Sequence, residues 1–262
     1  MKFAFCLEML YTDLPFMDRL IEAKDDGIEV FEMWGWRDKD LNALKEQMQS
    51  LNLRISNISG NREYGMIDPD EQIDFLNEIR QTGIVAQILD CPTLMLIVQS
   101  LEADGGGKLP QNELSPHEIE TNIIKCGKAV GDVADELNLN FVIEPLNEVL
   151  DHPRYVLYSS EMAFRIIETI DHPRVNLLYD IYHMAMQNED VFADIEQHLD
   201  SIGYIHVADK PGRFEPGTGK INYQEIFRLL HEVKYGGVVG FECLPSHGDS
   251  RKVVQKLIET YM

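Results

Sequence analysis

Four side chains able to hold a metal ion end four consecutive apolar runs. Phe141-Val142-Ile143 leads to Glu144, Val175-Asn176-Leu177-Leu178-Tyr179 to Asp180, Ile202-Gly203-Tyr204-Ile205 to His206, and Val238-Val239-Gly240-Phe241 to Glu242. The intervals are 36, 26 and 36 residues, each about one strand plus one helix. Singly, each acid reads as a helix cap or ion-pair partner, and His206 as a satisfied core histidine. Together, at one end of neighbouring strands, they would repel one another without a cation. Three carboxylates and one imidazole suit one divalent ion, Mn²⁺ or Mg²⁺ first, with Co²⁺ or Zn²⁺ as alternatives. A structural zinc site would favour thiolates, and Cys243 beside Glu242 has no partner cysteine nearby.

Other polar residues stand close to these ends. His183 follows Asp180 by three, and Arg213 follows His206 in the loop Asp209-Lys210-Pro211-Gly212-Arg213. Each could meet substrate oxygens, Arg213 as a fixed fork of donors. The plainer alternatives are a surface histidine and a loop ion pair. Glu8, Glu32, Trp34, Trp36 and Asn57 end the first three apolar runs and are candidates for the opposite wall. Trp34-Gly35-Trp36 would close a pocket there by aromatic packing, or simply pack.

These ends need elements to carry them. Short apolar or β-branched runs recur near residues 3–6, 28–32, 53–58, 93–98, 140–144, 175–180, 202–207 and 238–242. Between them, apolar residues fall three and four apart, as in Leu41, Leu44, Met48 and Leu51, or Ile119, Ile123, Ile124 and Val130. That spacing is helical. Asp13 and Ser115-Pro116 are expected helix starts, the second because proline is tolerated at the first helical position. Eight strand–helix units predict a parallel sheet covered by helices, either doubly wound or closed. Length favours one closed (β/α)8 TIM barrel over residues 1–262, since ~250 residues is the usual size of that fold. No nucleotide fingerprint supports the open sheet. Gly105-Gly106-Gly107-Lys108 lacks the upstream glycine of a phosphate loop and has Leu109 where Ser or Thr is needed. The stretch from Gln99 to Leu114 reads as a lid or a surface insertion. The repeats Asp151-His152-Pro153-Arg154 and Asp171-His172-Pro173-Arg174 read as turn chemistry.

Composition bounds the partners. With 23 Lys+Arg against 45 Asp+Glu, the net charge is −22, the wrong sign for nucleic acid or an anionic membrane surface. No apolar run approaches the ~18–20 residues that span a bilayer. Met1–Glu8 reaches an acid too soon for a signal peptide. Four scattered cysteines, Cys6, Cys91, Cys126 and Cys243, read as reduced thiols. A cytoplasmic location is expected.

On these residues the chain resembles the xylose-isomerase-like (β/α)8 superfamily of sugar isomerases, ketose 3-epimerases and family 2 apurinic endonucleases. It is most similar to the hydroxypyruvate isomerase branch. The likeness is carried by Ile143-Glu144-Pro145-Leu146-Asn147, by Asp180-Ile181-Tyr182-His183-Met184, by Gly240-Phe241-Glu242, and above all by His206-Val207-Ala208-Asp209 through Pro211–Tyr223. The resemblance implies Glu144, Asp180, His206 and Glu242 as ligands of one divalent ion, Glu144 and Glu242 as the acid/base pair, and His183 and Arg213 as substrate contacts. It implies aldehyde–ketone isomerisation of a small α-hydroxycarbonyl compound, a sugar or hydroxy-oxo acid, and is in keeping with a homo-oligomer. Ketose 3-epimerisation at the same site is the alternative; a silent sugar-binding barrel is a third reading. Three departures bear on the choice. Asn147 is followed by Glu148-Val149-Leu150, not the Arg-Phe-Glu usual in ketose 3-epimerases. Leu244 stands where hydroxypyruvate isomerases carry lysine. Asn57 and Gln99 stand where the endonucleases place histidines.

Overall fold

The computed structural model describes residues 1–262. Eight strands run in chain order: β1 Lys2–Cys6, β2 Val30–Met33, β3 Arg54–Ser59, β4 Thr93–Leu96, β5 Asn140–Ile143, β6 Val175–Asp180, β7 Ile202–Val207 and β8 Val238–Phe241. Each pairs in parallel with the next, and β8 closes on β1 through the register Phe3 to Val239 and Phe5 to Phe241. The expected closed (β/α)8 barrel is the fold, and the open sheet is excluded. The strands read as nearly continuous apolar runs because the barrel interior and the helical shell bury both faces.

Nine helices form that shell: α1 Phe16–Asp25, α2 Leu41–Leu51, α3 Gln72–Ile88, α4 Pro116–Leu137, α5 Ser160–Ile170, α6 Ile181–Met186, α7 Val191–His198, α8 Tyr223–Glu232 and α9 Ser250–Tyr261. Leu44 and Met48 of α2, and Ile123 and Val130 of α4, are buried against the barrel. The Ser115-Pro116 start is borne out by a capping box. The Glu118 N–H donates to Ser115 Oγ (3.3 Å), and the Ser115 N–H donates to Glu118 Oε2 (2.8 Å). The Asp13 start is not: α1 begins at Phe16 after Pro15, with no side-chain cap. A turn closed by Leu14 N–H donating to Tyr11 O (3.0 Å) takes up Asp13, and proline then fixes the entry.

Two local features aim the strand ends. β6 passes into α6 with no linker, so Asp180 is both the last strand residue and the helix cap. In the β7–β8 register, His206 lies beside Gly240. A Cβ there would come within 2.6 Å of Glu32 Oε1 and 2.9 Å of His206 Cδ2. Glycine is the residue that lets these two side chains meet.

Candidate metal centre

Glu144, Asp180, His206 and Glu242 converge at the C-terminal ends of β5 to β8, as the spacing predicts. Each offers one ligand atom, all four atoms lie within 4.8 Å of one another, and all four residues are buried. His206 Nδ1 is 3.3 Å from Glu144 Oε1 and 3.5 Å from Glu242 Oε2. Asp180 is oriented by its capping role: Oδ1 accepts from the Tyr182 and His183 N–H groups (2.7 and 3.1 Å), leaving Oδ2 toward the cluster. Such a donor set, oxygen-rich and out of water, fits one divalent cation.

The electrostatics match a cation site. Burial pushes the Glu144 carboxyl up to about 7, against the opposing pull of His206. Burial pushes Asp180 up to about 6, with Arg213 pulling the other way. Burial acts on Glu242 in the same sense. There the Arg213 and His206 charges, with hydrogen bonds from His206 and Trp34, outweigh it and hold the group well below the carboxylate range. Burial lowers His206, but the carboxylates of Glu32, Glu242 and Glu144 raise it well above the ordinary imidazole value.

The far side of His206 is equally specified. Its Nε2 is 3.2 Å from Glu32 Oε2, which also accepts from Tyr204 OH (2.8 Å). Glu32 is therefore one rung beneath the cluster rather than in a pocket wall. A carboxylate on the outer nitrogen of a histidine fixes its tautomer and leaves the inner nitrogen free to ligate.

Above the cluster is a chamber of about 150 Å³, lined by Trp34, Ser59, Asn61, Arg62, Leu101, His152 and His183 among others. It is small beside the roughly 300–1,000 Å³ of drug-sized pockets. His183 is in it, as expected, and its hydrogen bonds set its tautomer. The Asn147 backbone N–H donates to Nδ1 (3.3 Å), so the proton is on Nε2, which is buried without a partner. Burial, then the nearby Arg213 charge, holds this imidazole well below its ordinary pKa. Arg213 also lines the chamber. It bonds Glu242 Oε2, approaches Asp180 Oδ2 (3.8 Å), and lies 5.5 Å over the Tyr182 ring. Trp34 lines it too, donating from Nε1 to Glu242 Oε1 (2.7 Å).

Besides Glu32, three expected wall residues lie elsewhere. Glu8 is taken up by Lys39 (3.1 Å) and Arg19 (3.8 Å). Trp36 points away and donates to Thr82 Oγ1 (3.2 Å), so Trp34 alone of the pair faces the chamber. Asn57 is buried but does not reach the chamber. β3 runs on to Ser59, and with a period of two the wall falls to Ser59 and Asn61. Two segments read as loop material belong to the site. His152 lines the chamber and its Nδ1 is 2.9 Å from Gly105 O, so the first Asp-His-Pro-Arg copy is more than a turn. The Gln99–Leu114 stretch is docked by Arg154 on Asp104 (3.0 Å) and by Gln99 Oε1 accepting from the Val156 N–H (2.7 Å). It supplies Leu101 as a fixed wall.

Residues 20–260 match the family described as the xylose isomerase-like TIM barrel. The chain belongs to that family. A hydroxypyruvate isomerase of Escherichia coli is 26% identical over 253 residues, covering 94% of each chain. A 2-oxo-tetronate isomerase of Pectobacterium atrosepticum is 30% identical over 251 residues, covering 93% of this chain and 92% of its own. Among solved structures, a family 2 AP endonuclease from Brucella melitensis superposes with TM-score 0.86 at 22% identity, over 100% of this chain and 99% of its own, which speaks for the fold alone. As in other members of a barrel family, the polar residues at the C-terminal strand ends are where chemistry belongs. No helix is long and apolar enough to cross a membrane.

Proposed function

We propose that this protein is a metal-dependent isomerase. It interconverts the aldehyde and ketone forms of a small α-hydroxycarbonyl compound through an enediolate, in the manner of a hydroxypyruvate isomerase. Residues 1–262 are taken as one (β/α)8 unit. The observation that carries the proposal is the buried convergence of Glu144, Asp180, His206 and Glu242 beneath a small polar chamber. The names of the isomerase relatives support it.

Glu144, Asp180, His206 and Glu242 would hold a divalent ion, which supplies Lewis-acid polarisation of a carbonyl. Mn²⁺ or Mg²⁺ suits this donor set. Glu144 and Glu242 are the acid/base pair. One removes the proton from the carbon beside the carbonyl, and a proton is returned to the neighbouring carbon. The two carboxyls sit in different surroundings: Arg213, His206 and Trp34 all engage Glu242, whereas of these only His206 reaches Glu144. His183 presents Nε2–H to a substrate oxygen, and Arg213 and Trp34 orient Glu242.

Proton NMR in D₂O tests this on Mn²⁺- or Mg²⁺-loaded protein, with hydroxypyruvate and a panel of C4–C6 ketoses and oxo acids. Deuterium at carbon one or two with aldehyde–ketone interconversion is expected. Exchange at carbon three with inversion would make the protein a ketose 3-epimerase. No metal-dependent exchange across the panel would overturn the isomerase.

A further inference from the structure

The chamber has two cationic side chains in its lining, and they are used differently. Arg213 is committed to Glu242 and Asp180. Arg62 has no carboxylate within 4.0 Å, and its guanidinium makes no hydrogen bond to the protein. It opens at the chamber mouth, 5.8 Å over the ring of Trp34. That same indole donates to Glu242, so one aromatic ring separates the free guanidinium from the metal cluster. Both histidines of the chamber, His152 and His183, are pushed toward their neutral forms by burial.

Arg62 is not on a loose loop. The carboxylate of Glu78, buried on α3, accepts from the backbone N–H groups of Arg62 (2.9 Å), Glu63 (3.2 Å) and Tyr64 (3.2 Å). Asn61, the preceding residue, bonds both the N–H and the C=O of Ile97 (3.1 and 2.9 Å). Neighbouring cations are already satisfied: Arg37 meets Glu78 (3.2 Å) and Lys39 meets Glu8 (3.1 Å). The fold thus fixes the backbone beneath one guanidinium and gives that guanidinium no internal partner. Arg62 is exposed at the mouth, so water solvates its guanidinium in the free protein, and in a chain of net charge −22 it is left free to meet an anionic ligand.

We propose that Arg62 is the receptor for a carboxylate on the substrate. The isomerase reading is its premise: one end of the substrate meets the metal cluster and the other end, an acid, meets Arg62. The substrate class is then a short hydroxy-oxo acid rather than a neutral ketose. A lone guanidinium, with no second free cation in the lining, fits a monoanionic carboxylate in a bidentate pair. A phosphate would call for more donors. Leu244, three residues beyond the end of β8, supplies no cation of its own.

Binding of compounds that cannot isomerise tests the assignment separately from activity. Glycerate against glycerol, and threonate against threitol, differ only in the carboxylate. By calorimetry, the Mn²⁺-loaded wild-type protein should bind at least one acid ten- to hundredfold more tightly than its alcohol. Arg62→Gln should remove that preference while leaving alcohol binding and Mn²⁺ affinity within about twofold. Arg62→Lys, which keeps the charge and loses the fork, should fall between. Equal binding of acid and alcohol by the wild-type protein would overturn the proposal, as would an acid preference that survives in Arg62→Gln. Arg62-dependent binding of glycerol 3-phosphate without binding of the acids would overturn the choice of carboxylate. Arg62-dependent acid binding without any hydrogen exchange would sink the isomerase and leave the receptor standing. Exchange with an unaltered KM for oxo acids in Arg62→Gln would do the reverse.

Discussion

His206 faces a carboxylate from each of its nitrogens, and the two faces have different jobs. Nδ1 turns to Glu144 and Glu242, while Nε2 turns to Glu32. If Glu32 sets the tautomer, Glu32→Ala should lower Mn²⁺ affinity about 10–100-fold. Glu32→Gln, which can still accept from Nε2–H, should lower it less. Free Mn²⁺ measured by electron paramagnetic resonance reads this directly, and unchanged affinity in Glu32→Ala would remove Glu32 from the site. Glu144→Gln and Glu242→Gln should each lower turnover ~10²-fold or more, with circular dichroism showing a folded protein. Full activity in either would end its assignment as acid or base. At this scale the four positions of the cluster were legible because each is the polar residue that closes an apolar run. Glu32 was only partly legible. It does end a run, but its place beneath His206 depends on a contact across the barrel between β2 and β7. Arg62 carried no signal, since its meaning lies in the partners it lacks.

Elements decide how closely these side chains approach. Gly240 sits beside His206 because β7 and β8 are in that register, and a methyl group there would overlap Glu32 and His206. Gly240→Ala should therefore destabilise the protein by about 1–3 kcal/mol, the usual range for overpacking. It should also lower Mn²⁺ affinity, because the clash falls on the pair that presents Nδ1. Thermal melting and metal titration check the two effects together; a stable variant with wild-type affinity would show that the pair tolerates the displacement. The connection after β7 works by similar means. Asp209 is buried and its carboxylate accepts from the backbone N–H groups of Gly217 (2.9 Å), Gly219 (2.8 Å) and Ile221 (3.0 Å). Glu215 ties the same loop to Ser246 (2.9 Å). The longest motif in the sequence is thus largely loop architecture that delivers Arg213. The eight strands were legible from apolar runs, yet ends were not: β3 extends to Ser59, and that moves the wall from Asn57 to Ser59 and Asn61. The docking of Gln99–Leu114 on Asp151–Val156 was illegible because it joins two loops by backbone and side-chain contacts without periodicity.

The whole molecule carries its charge imbalance into the site. A barrel with net charge −22 buries three carboxylates at one mouth, where loss of water first and their mutual repulsion second disfavour the charged forms. Without metal, protons relieve that stress. Glu144 is raised from 4.5 to about 7 and Asp180 from 3.8 to about 6, and His206 is raised above 6.5. Each binds its proton more tightly in the folded chain than in the unfolded one. Their contribution to stability is therefore full below the unfolded values and is lost as pH rises through the folded ones. Glu242, held low, acts in the opposite sense, but its window lies below its ordinary value of 4.5. Between about pH 5.5 and 8, the metal-free protein should lose stability as pH rises, by the linkage just stated. A divalent ion takes the place of the protons and competes with them, so its affinity should rise over the same interval. At a hundredfold excess over its Kd the ion adds about 2.7 kcal/mol, or roughly 5–10 °C in a chain of this size. Melting curves with EDTA and with Mn²⁺ across that range should diverge as pH increases. Curves that stay parallel or converge would mean that the four groups do not exchange protons for metal, and the cluster would then be a buried acid network rather than a cation site.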